Sequence, residues 1–154
     1  MHTLLILALF APPQQLIHGK VVSVHDGDTI TVVVDKTQIK VRLEGIDAPE
    51  STQPFGTRSK RALSEKVFGK QVTIEWTEKD RFGRTLGRVM LDGRWINKDM
   101  VTEGFAWHYK QYSSEKELSE AEEEAKKAKA GLWSDPNARP PWEFREGAKR
   151  KKAA

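Results

Sequence analysis

The sequence contains no cysteine and no long hydrophobic run. Without cysteine, the 154-residue chain has no disulfide framework, no thiolate-bound zinc, no iron–sulfur cluster and no cysteine nucleophile. No apolar run is long enough to span a bilayer as a helix, which excludes a polytopic membrane protein. What remains is a chain of one domain's length, with 38% hydrophobic and 31% charged residues. This composition is sufficient for a single hydrophobic core.

The formal net charge is +4 and is unevenly distributed. Residues 136–154 carry six basic and two acidic side chains, so this segment accounts for the whole excess. A basic surface favours polyanions such as nucleic acid or anionic lipid. We interpret 136–154 as a basic C-terminal tail. It either raises the affinity for nucleic acid through counterion release or is a disordered solubilising end.

The N-terminus carries a short apolar run. Residues 4–11 read LLILALFA, and Pro12 and Pro13 end the run. This length suits the hydrophobic region of a secretory signal and is short for a membrane span. No basic residue precedes the run, and the alternatives are an N-terminal strand, a mis-assigned start or an uncleaved membrane anchor. We predict a signal peptide over residues 1–19, a mature domain over 20–135, and a secreted or periplasmic location.

Hydrophobic periodicity predicts five strands and three helices. The predicted strands lie at 21–24, 30–34, 39–43, 72–76 and 87–91, and the predicted helices at 55–68, 97–104 and 114–131. Five short strands with interspersed helices are typical of a small β-barrel of the oligonucleotide-binding (OB) type. An ordinary α+β sandwich is the alternative, and the pattern alone does not separate the two.

The second and third strands predict a hairpin that brings acidic residues together. Centring the turn on Lys36 and Thr37 aligns the apolar faces of both strands. In this register Asp28 pairs near Gly45, and Asp47 emerges close to Asp28. Two carboxylates at one hairpin end repel each other unless a proton or a cation intervenes. The pattern favours a hard metal with oxygen ligands, calcium before magnesium, and an ordinary acidic loop is the alternative.

Three short stretches hold the residues best suited to chemistry. They read HDGDT at 25–29, RLEGIDAPE at 42–50 and DRFGR at 80–84. Taken alone, each has an ordinary explanation as a turn, an acidic loop or a solvated arginine. Strict pleating puts Arg42 on the face opposite Val41, so the sequence does not show that it reaches the acids. Arg84 has the forked N–H donors that bind two phosphate oxygens at once.

The ordered set of motifs resembles the staphylococcal nuclease, or thermonuclease, family. The matching segments are DGDT at 26–29, RL at 42–43, IDAPE at 46–50 and DRFGR at 80–84, with AGLW at 130–133 as a supporting match. Order and spacing agree from about Lys20 to Trp133. The resemblance implies a five-stranded OB-type barrel with three helices. It also implies a calcium-dependent endonuclease that cleaves the phosphodiesters of DNA and RNA and leaves 3′-phosphate ends.

The resemblance further implies a role for each of five side chains. Asp28 and Asp47 would be the direct carboxylate ligands of calcium. Glu50 would be the general base, or would orient the attacking water. Arg42 and Arg84 would hold the scissile phosphate and its developing charge. The expected partners are DNA and RNA as substrates, with no obligate protein partner, and the expected state is a monomer.

The remaining aromatic and histidine residues are weaker candidates. Residues 107–112 lie in the region where the family places nucleotide-contacting tyrosines, which makes Tyr109 and Tyr112 candidates for base stacking or phosphate contact, and surface packing is their alternative role. His25 and His108 are interpreted as structural. The competing function is a catalytically silent nucleic-acid-binding domain. The presence of both acids, both arginines and Glu50 argues against it, since a silent domain should have lost some of them.

Overall fold

Five strands of alternating apolar residues form a closed barrel, as the sequence predicted. The structure is a computed structural model and describes residues 12–154. In chain order its strands are β1 (Gln15–Asp26), β2 (Thr29–Val34), β3 (Thr37–Leu43), β4 (Ile46–Asp47), β5 (Gln71–Lys79), β6 (Thr85–Leu91), β7 (Arg94–Trp95) and β8 (Trp107–His108). The barrel consists of β1, β2, β3, β5 and β6, and the three two-residue strands lie outside it.

The barrel closes because the two edges of its sheet meet. Neighbouring strands pair antiparallel in the order β3, β2, β1, β5 and β6. Strand β3 then pairs in parallel with β6, with Leu43 opposite Gly87. A Cβ at Gly87 would overlap the side chain of Ile74 on β5, so the close packing of β6 against β5 requires glycine at this position. Closure fixes the end of β3, and the loop that follows it, against the start of β6.

The hairpin between β2 and β3 turns at Asp35 and Lys36, one position before its predicted centre. Both residues have positive φ, 47° and 67°, as in the two-residue turns that match the twist of paired strands. Val32 therefore pairs with Ile39 and not with Val41, and the predicted register is wrong by two residues. Because side chains alternate with a period of two, this shift leaves the same apolar faces together. The hydrophobic pattern therefore fits both registers.

Residues 12–154 form four α-helices, one more than the sequence predicted. They are α1 (Gly56–Val67), α2 (Ile96–Thr102), α3 (Lys116–Lys127) and α4 (Pro141–Ala153), with a short 3₁₀ helix over Gly131–Ser134. The additional helix is α4, which lies in the segment predicted as a basic tail. Pro141 begins it, in the position where the missing N–H of proline has no cost and its fixed φ suits a helix.

The hydrophobic core is one cluster shared by the barrel and the first three helices. Its fully buried members include Ile30, Leu43 and Ile74 from the barrel, Leu63 from α1, Met100 from α2 and Leu118 from α3. Helix α4 has only one buried residue, Pro141. It is therefore held mainly by aromatic and polar contacts at the surface of the barrel.

Most of the predicted signal peptide lies outside the described residues. The apolar run at 4–11 is not part of 12–154, so the signal peptide stays a prediction. Strand β1 begins at Gln15, which pairs with Trp76 of β5. The last residues assigned to the leader are therefore part of the sheet. In the described part of the chain, no helix is both long and apolar enough to cross a membrane.

Candidate active site

Asp28 lies at the tight turn between β1 and β2, with its carboxylate buried. A Cβ at Gly27 would clash with Ser59, so the turn can pack this closely only with glycine. The hydroxyl of Thr29 donates to Asp28 Oδ1 at 3.0 Å, and the backbone N–H of Ala48 donates to Oδ2 at 2.7 Å. Burial raises the pKa of Asp28 to about 6. The turn thus holds a carboxylate whose negative charge is shielded from water and is not stabilised by solvation.

Asp47 lies in β4, beside Asp28. Strand β4 pairs with β8, and this places Asp47 opposite Trp107. Asp47 is only 1% exposed. Burial raises its pKa, and the charge of Asp28 adds to this effect, against hydrogen bonds from arginine. Two buried carboxylates this close require positive charge nearby.

Arg42 supplies part of that charge and joins the two carboxylates. Its Nη2 lies 3.2 Å from Asp28 Oδ2 and 3.2 Å from Asp47 Oδ1. Its Nη1 donates to the backbone carbonyls of Leu43 and Ile46, at 2.8 and 2.9 Å. The strand ends at Leu43, so the carbonyls of the following loop, and not the pleat, fix the guanidinium. Arg42 therefore reaches both acids, which pleating alone did not show.

Glu50 lies at the rim of this group, where its side chain keeps 38% of its exposure. Its backbone N–H donates to Gln53 Oε1 at 3.2 Å, which holds the loop after β4. Its carboxylate Oε1 accepts a hydrogen bond at 2.7 Å from Arg145, a residue that also binds Asp47. Glu50 is therefore close to the buried acids and still open to water, as an acceptor of a proton from water must be.

Arg84 lies in the loop before β6 and binds Asp80. Its Nε lies 2.7 Å from Asp80 Oδ2, and its backbone N–H donates to Asp80 Oδ1 at 3.0 Å. Partial burial alone would raise the pKa of Asp80, but the hydrogen bonds from Arg84 outweigh it and lower that pKa. Within residues 12–154, the ion pair of Arg84 is with Asp80. Of the five predicted site residues, the structure brings together Asp28, Asp47, Arg42 and Glu50, and leaves Arg84 in its own loop.

Arg145 of α4 belongs to the site and was missed by the sequence reasoning. Its Nη2 lies 2.7 Å from Asp47 Oδ2, and its Nη1 lies 3.1 Å from Asp47 Oδ1 and 2.7 Å from Glu50 Oε1. Burial alone would lower the pKa of Arg145, but these hydrogen bonds outweigh it and raise the pKa. A signal that could have indicated α4 is the Pro140–Pro141 pair, since proline often begins a helix. Nothing in the sequence indicated that the helix would reach Asp47.

The two tyrosine candidates lie beside the same helix. Tyr109 stacks on Trp142 of α4, with ring centroids 5.3 Å apart and planes within 5°. Tyr112 packs edge-on against Tyr109 at 4.7 Å and is 72% exposed. His108 is buried and hydrogen-bonded to Ser113 and Ser119, as expected of a structural residue. In this conformation the stacking face of Tyr109 is covered by α4.

The donor set suits a hard divalent cation. Asp28, Asp47 and Glu50 offer carboxylate oxygens, the ligands that calcium and magnesium prefer. In the described part of the chain, no three acidic or histidine side chains converge into a preformed metal cluster. A cation here would take side-chain oxygens from Asp28 and Asp47, and its other ligands would come from backbone, water or phosphate. The residues therefore fit a cation site with few protein ligands.

The structure combines a closed OB-type barrel with buried acids and an arginine at one end of a hairpin. These features define a class of small proteins that carry an acidic site on a nucleic-acid-binding fold. The family model described as staphylococcal nuclease homologue matches residues 40–135, more than half of the chain. The chain therefore belongs to the staphylococcal nuclease family, and the resemblance drawn from its motifs is confirmed.

Relatives of similar length match almost the whole chain. The chain is 41% identical over 155 residues to the micrococcal nuclease of Shigella flexneri, covering 94% of this chain and 89% of that protein. It is 43% identical over 144 residues to an uncharacterized endonuclease of Escherichia coli O157:H7, covering 92% and 94%. It is 44% identical over 131 residues to an uncharacterized endonuclease of Haemophilus influenzae, covering 84% and 74%.

Proposed function

We propose that the protein is a calcium-dependent endonuclease that hydrolyses phosphodiester bonds of both DNA and RNA and leaves 3′-phosphate ends. Membership of the staphylococcal nuclease family, with relatives named as nucleases, supports nuclease activity on nucleic acid. The observation that carries the proposed mechanism is the convergence of Asp28 and Asp47 on Arg42, at 3.2 Å each. A silent binding domain is not supported, because the whole acidic group is intact and the relatives carry enzyme names.

Asp28 and Asp47 are the proposed ligands of the divalent cation. When bound, such a cation neutralises a phosphate oxygen and polarises the phosphorus. Both carboxylates are buried, and the hydrogen bonds from Thr29 and Ala48 hold Asp28 in place. The oxygens of Asp28 are thus fixed before a phosphate arrives.

Glu50 and the two arginines carry the rest of the reaction. Glu50 accepts the proton of the attacking water, whose oxygen bonds to phosphorus while the bond from phosphorus to the 5′-oxygen breaks. The leaving 5′-oxygen takes a proton from solvent water, and the products are a 3′-phosphate and a 5′-hydroxyl. Arg42 lies where it can contact the phosphate and its growing negative charge. Arg84 uses its Nε for Asp80, and its Nη1 and Nη2 groups are the proposed donors to the phosphate.

The chemical identity of the product ends tests this reaction directly. Plasmid DNA and single-stranded RNA are each incubated with purified protein at saturating calcium. Both should be cut, and the DNA fragments should resist extension by a polymerase until a phosphatase removes the 3′-phosphate. Fragments that are extended without phosphatase treatment would show cleavage at the other phosphate bond and would contradict the proposed reaction.

We also propose that the protein acts outside the cytoplasm after removal of its leader. The apolar run at 4–11 followed by Pro12 and Pro13 supports export. Cleavage before Gln15 would leave all of β1 intact. Mass spectrometry of protein from a secreting host should show a new N-terminus between Pro12 and Lys20. Soluble protein that retains Met1 would contradict export.

A further inference from the structure

Helix α4 places a positive charge where the cation is proposed to bind. Arg145 contacts both oxygens of Asp47, at 3.1 Å for Oδ1 and 2.7 Å for Oδ2. The same guanidinium binds Glu50 at 2.7 Å. Asp47 therefore has no oxygen that is free of arginine contact, since Oδ1 also lies 3.2 Å from Arg42. A cation that binds Asp47 directly therefore binds an oxygen that already accepts a hydrogen bond from Arg145, which puts its charge beside the guanidinium.

The charge balance of the site gives the same result. Three carboxylates, those of Asp28, Asp47 and Glu50, face two guanidiniums, those of Arg42 and Arg145. A divalent cation added to this group would leave an excess of positive charge at short range, which is unfavourable. If Arg145 withdraws, the same cation brings the group to neutrality. Arg145 and the cation therefore oppose each other at this site.

Other contacts of α4 hold Arg145 in this position. Trp142 stacks on Tyr109 at 5.3 Å and meets Trp107 edge-on at 5.8 Å, and Trp107 pairs with Asp47 through the backbone. Gln53 donates its side-chain N–H to the carbonyl of Arg139 at 2.7 Å, just before the helix. Anchored at its start, α4 is otherwise a lightly buried helix, which can leave the barrel without disrupting the core.

We propose that α4 competes with the metal and the substrate for the acidic site formed by Asp28, Asp47 and Glu50. Arg145 is the group of α4 that occupies this site. This proposal rests on the cation-dependent nuclease function proposed above. The closed state has Arg145 on Asp47 and Glu50, and Trp142 on Tyr109. The open state frees Asp47 for a divalent cation, Glu50 for water and the ring of Tyr109 for a base. The competing ligands are by chemical class a divalent cation and the phosphodiester of a polynucleotide.

If Arg145 and calcium compete for Asp47, removal of Arg145 should change the affinity for calcium by a predictable factor. A closed state that excludes the cation lowers the apparent affinity in proportion to the open fraction. Replacing Arg145 by alanine removes the competitor and should tighten calcium binding about tenfold or more, because charge-assisted hydrogen bonds to buried acids are among the strongest in proteins. A residue that merely positions Asp47 for the cation would have the opposite effect, and its loss would weaken binding.

The experiment is calorimetric titration of the full chain with calcium chloride, without nucleic acid. Arg145→Ala is compared with the parent and with Arg150→Ala, a matched loss of one positive charge from an exposed position of the same helix. Arg145→Ala should bind calcium at least about tenfold more tightly, and Arg150→Ala within about twofold of the parent. Equal or weaker binding by folded Arg145→Ala overturns the proposal.

Hydrogen exchange on the unmodified parent gives a second readout that does not depend on a variant. Saturating calcium should speed amide exchange over residues 141–153 while leaving the barrel strands protected. Unchanged or slower exchange in α4 overturns the competition. The two proposals fail separately: full DNA cleavage in chelator would refute the metal-dependent function, whereas calcium-dependent cleavage with unchanged α4 exchange would refute the competition alone.

Discussion

At the scale of single residues, the position of Glu50 gives the sharpest expectation. It is the only carboxylate of the acidic group whose side chain keeps substantial exposure, at 38%. Glu50→Gln keeps the shape and the acceptor oxygen that Arg145 uses, but it cannot take a proton. The chemical step should slow by about 10²–10⁴-fold, while nucleic-acid binding persists. Single-turnover cleavage of a short oligonucleotide measures the rate, and filter binding measures the affinity.

The matched control for this change is Glu120→Gln, which alters an exposed carboxylate on α3. It should cleave at the rate of the parent. Circular dichroism confirms that each variant is folded. Cleavage by Glu50→Gln within a few-fold of the parent would remove Glu50 from the role of base.

A substitution at Arg84 tests whether the reaction needs the forked shape of the guanidinium or only its positive charge. The Nε of Arg84 is bound to Asp80 at 2.7 Å and the guanidinium lies 5.5 Å from the centre of the Phe82 ring, so Asp80 orients the group while Nη1 and Nη2 serve the phosphate. Arg84→Lys keeps the charge but loses the fork that binds two oxygens. The single-turnover rate should fall about 10²–10³-fold. The control is Arg81→Lys in the same loop, which should be near normal, and equal rates for both variants would refute the role of Arg84.

The sequence predicted contacts between residues that are close along the chain and joined by a hairpin. It did not predict contacts between residues that are distant along the chain. Asp28 and Asp47 were predicted to meet because a hairpin brings them together. The reach of Arg42 was left open, since it depends on the carbonyl positions of Leu43 and Ile46. Arg145 is 98 residues from Asp47, and no local pattern connects residues at that distance.

At the scale of elements, the packing of β8 against α3 predicts a pH dependence of stability. His108 of β8 is 2% exposed and lies between Ser113 and Ser119. Burial lowers the pKa of His108, and the charge of Glu122 opposes this only in part. The folded state therefore binds this proton less readily than the unfolded chain. The stability from neutral His108 is complete above the ordinary pKa of 6.5 and is lost as the pH falls toward the lowered one.

The measurement is the free energy of unfolding in urea, from about pH 8 to about pH 5. The parent should lose stability relative to His108→Gln as the pH falls, because the variant has no proton to gain at this position. Asp28 and Asp47 titrate in both proteins, so the difference isolates His108. The control is His18→Gln, which changes an exposed histidine of β1. Parallel curves for the parent and His108→Gln would contradict the assigned cause.

The types of the secondary-structure elements were predicted well. The register of the β2–β3 hairpin and the number of helices were predicted less well. The five barrel strands and the first three helices follow from hydrophobic periodicity. The β2–β3 register was wrong by two residues because the choice lies in the turn, where Asp35 and Lys36 adopt positive φ although neither is glycine. Helix α4 was missed because it contributes only Pro141 to the buried residues, so it lacks the apolar stripe that marks a core-packed helix.

At the scale of the whole molecule, the excess of positive charge lies in the segment that contacts the site. Residues 136–154 carry six basic and two acidic side chains, and α4 within this segment touches Asp47 and Glu50. Lys149 and Arg150 are exposed toward the end of the helix. Composition alone showed that this segment is basic. Only the fold shows that α4 within this segment contacts the acids.

The proposed function requires a divalent cation at Asp28 and Asp47 for cleavage. The test is the initial rate of plasmid DNA cleavage during a calcium titration that starts in excess chelator. We expect no cleavage in chelator, a rate that saturates with calcium, and poor replacement by magnesium, which demands tight octahedral geometry and retains its waters. Cleavage at the full rate in chelator would contradict the proposed function.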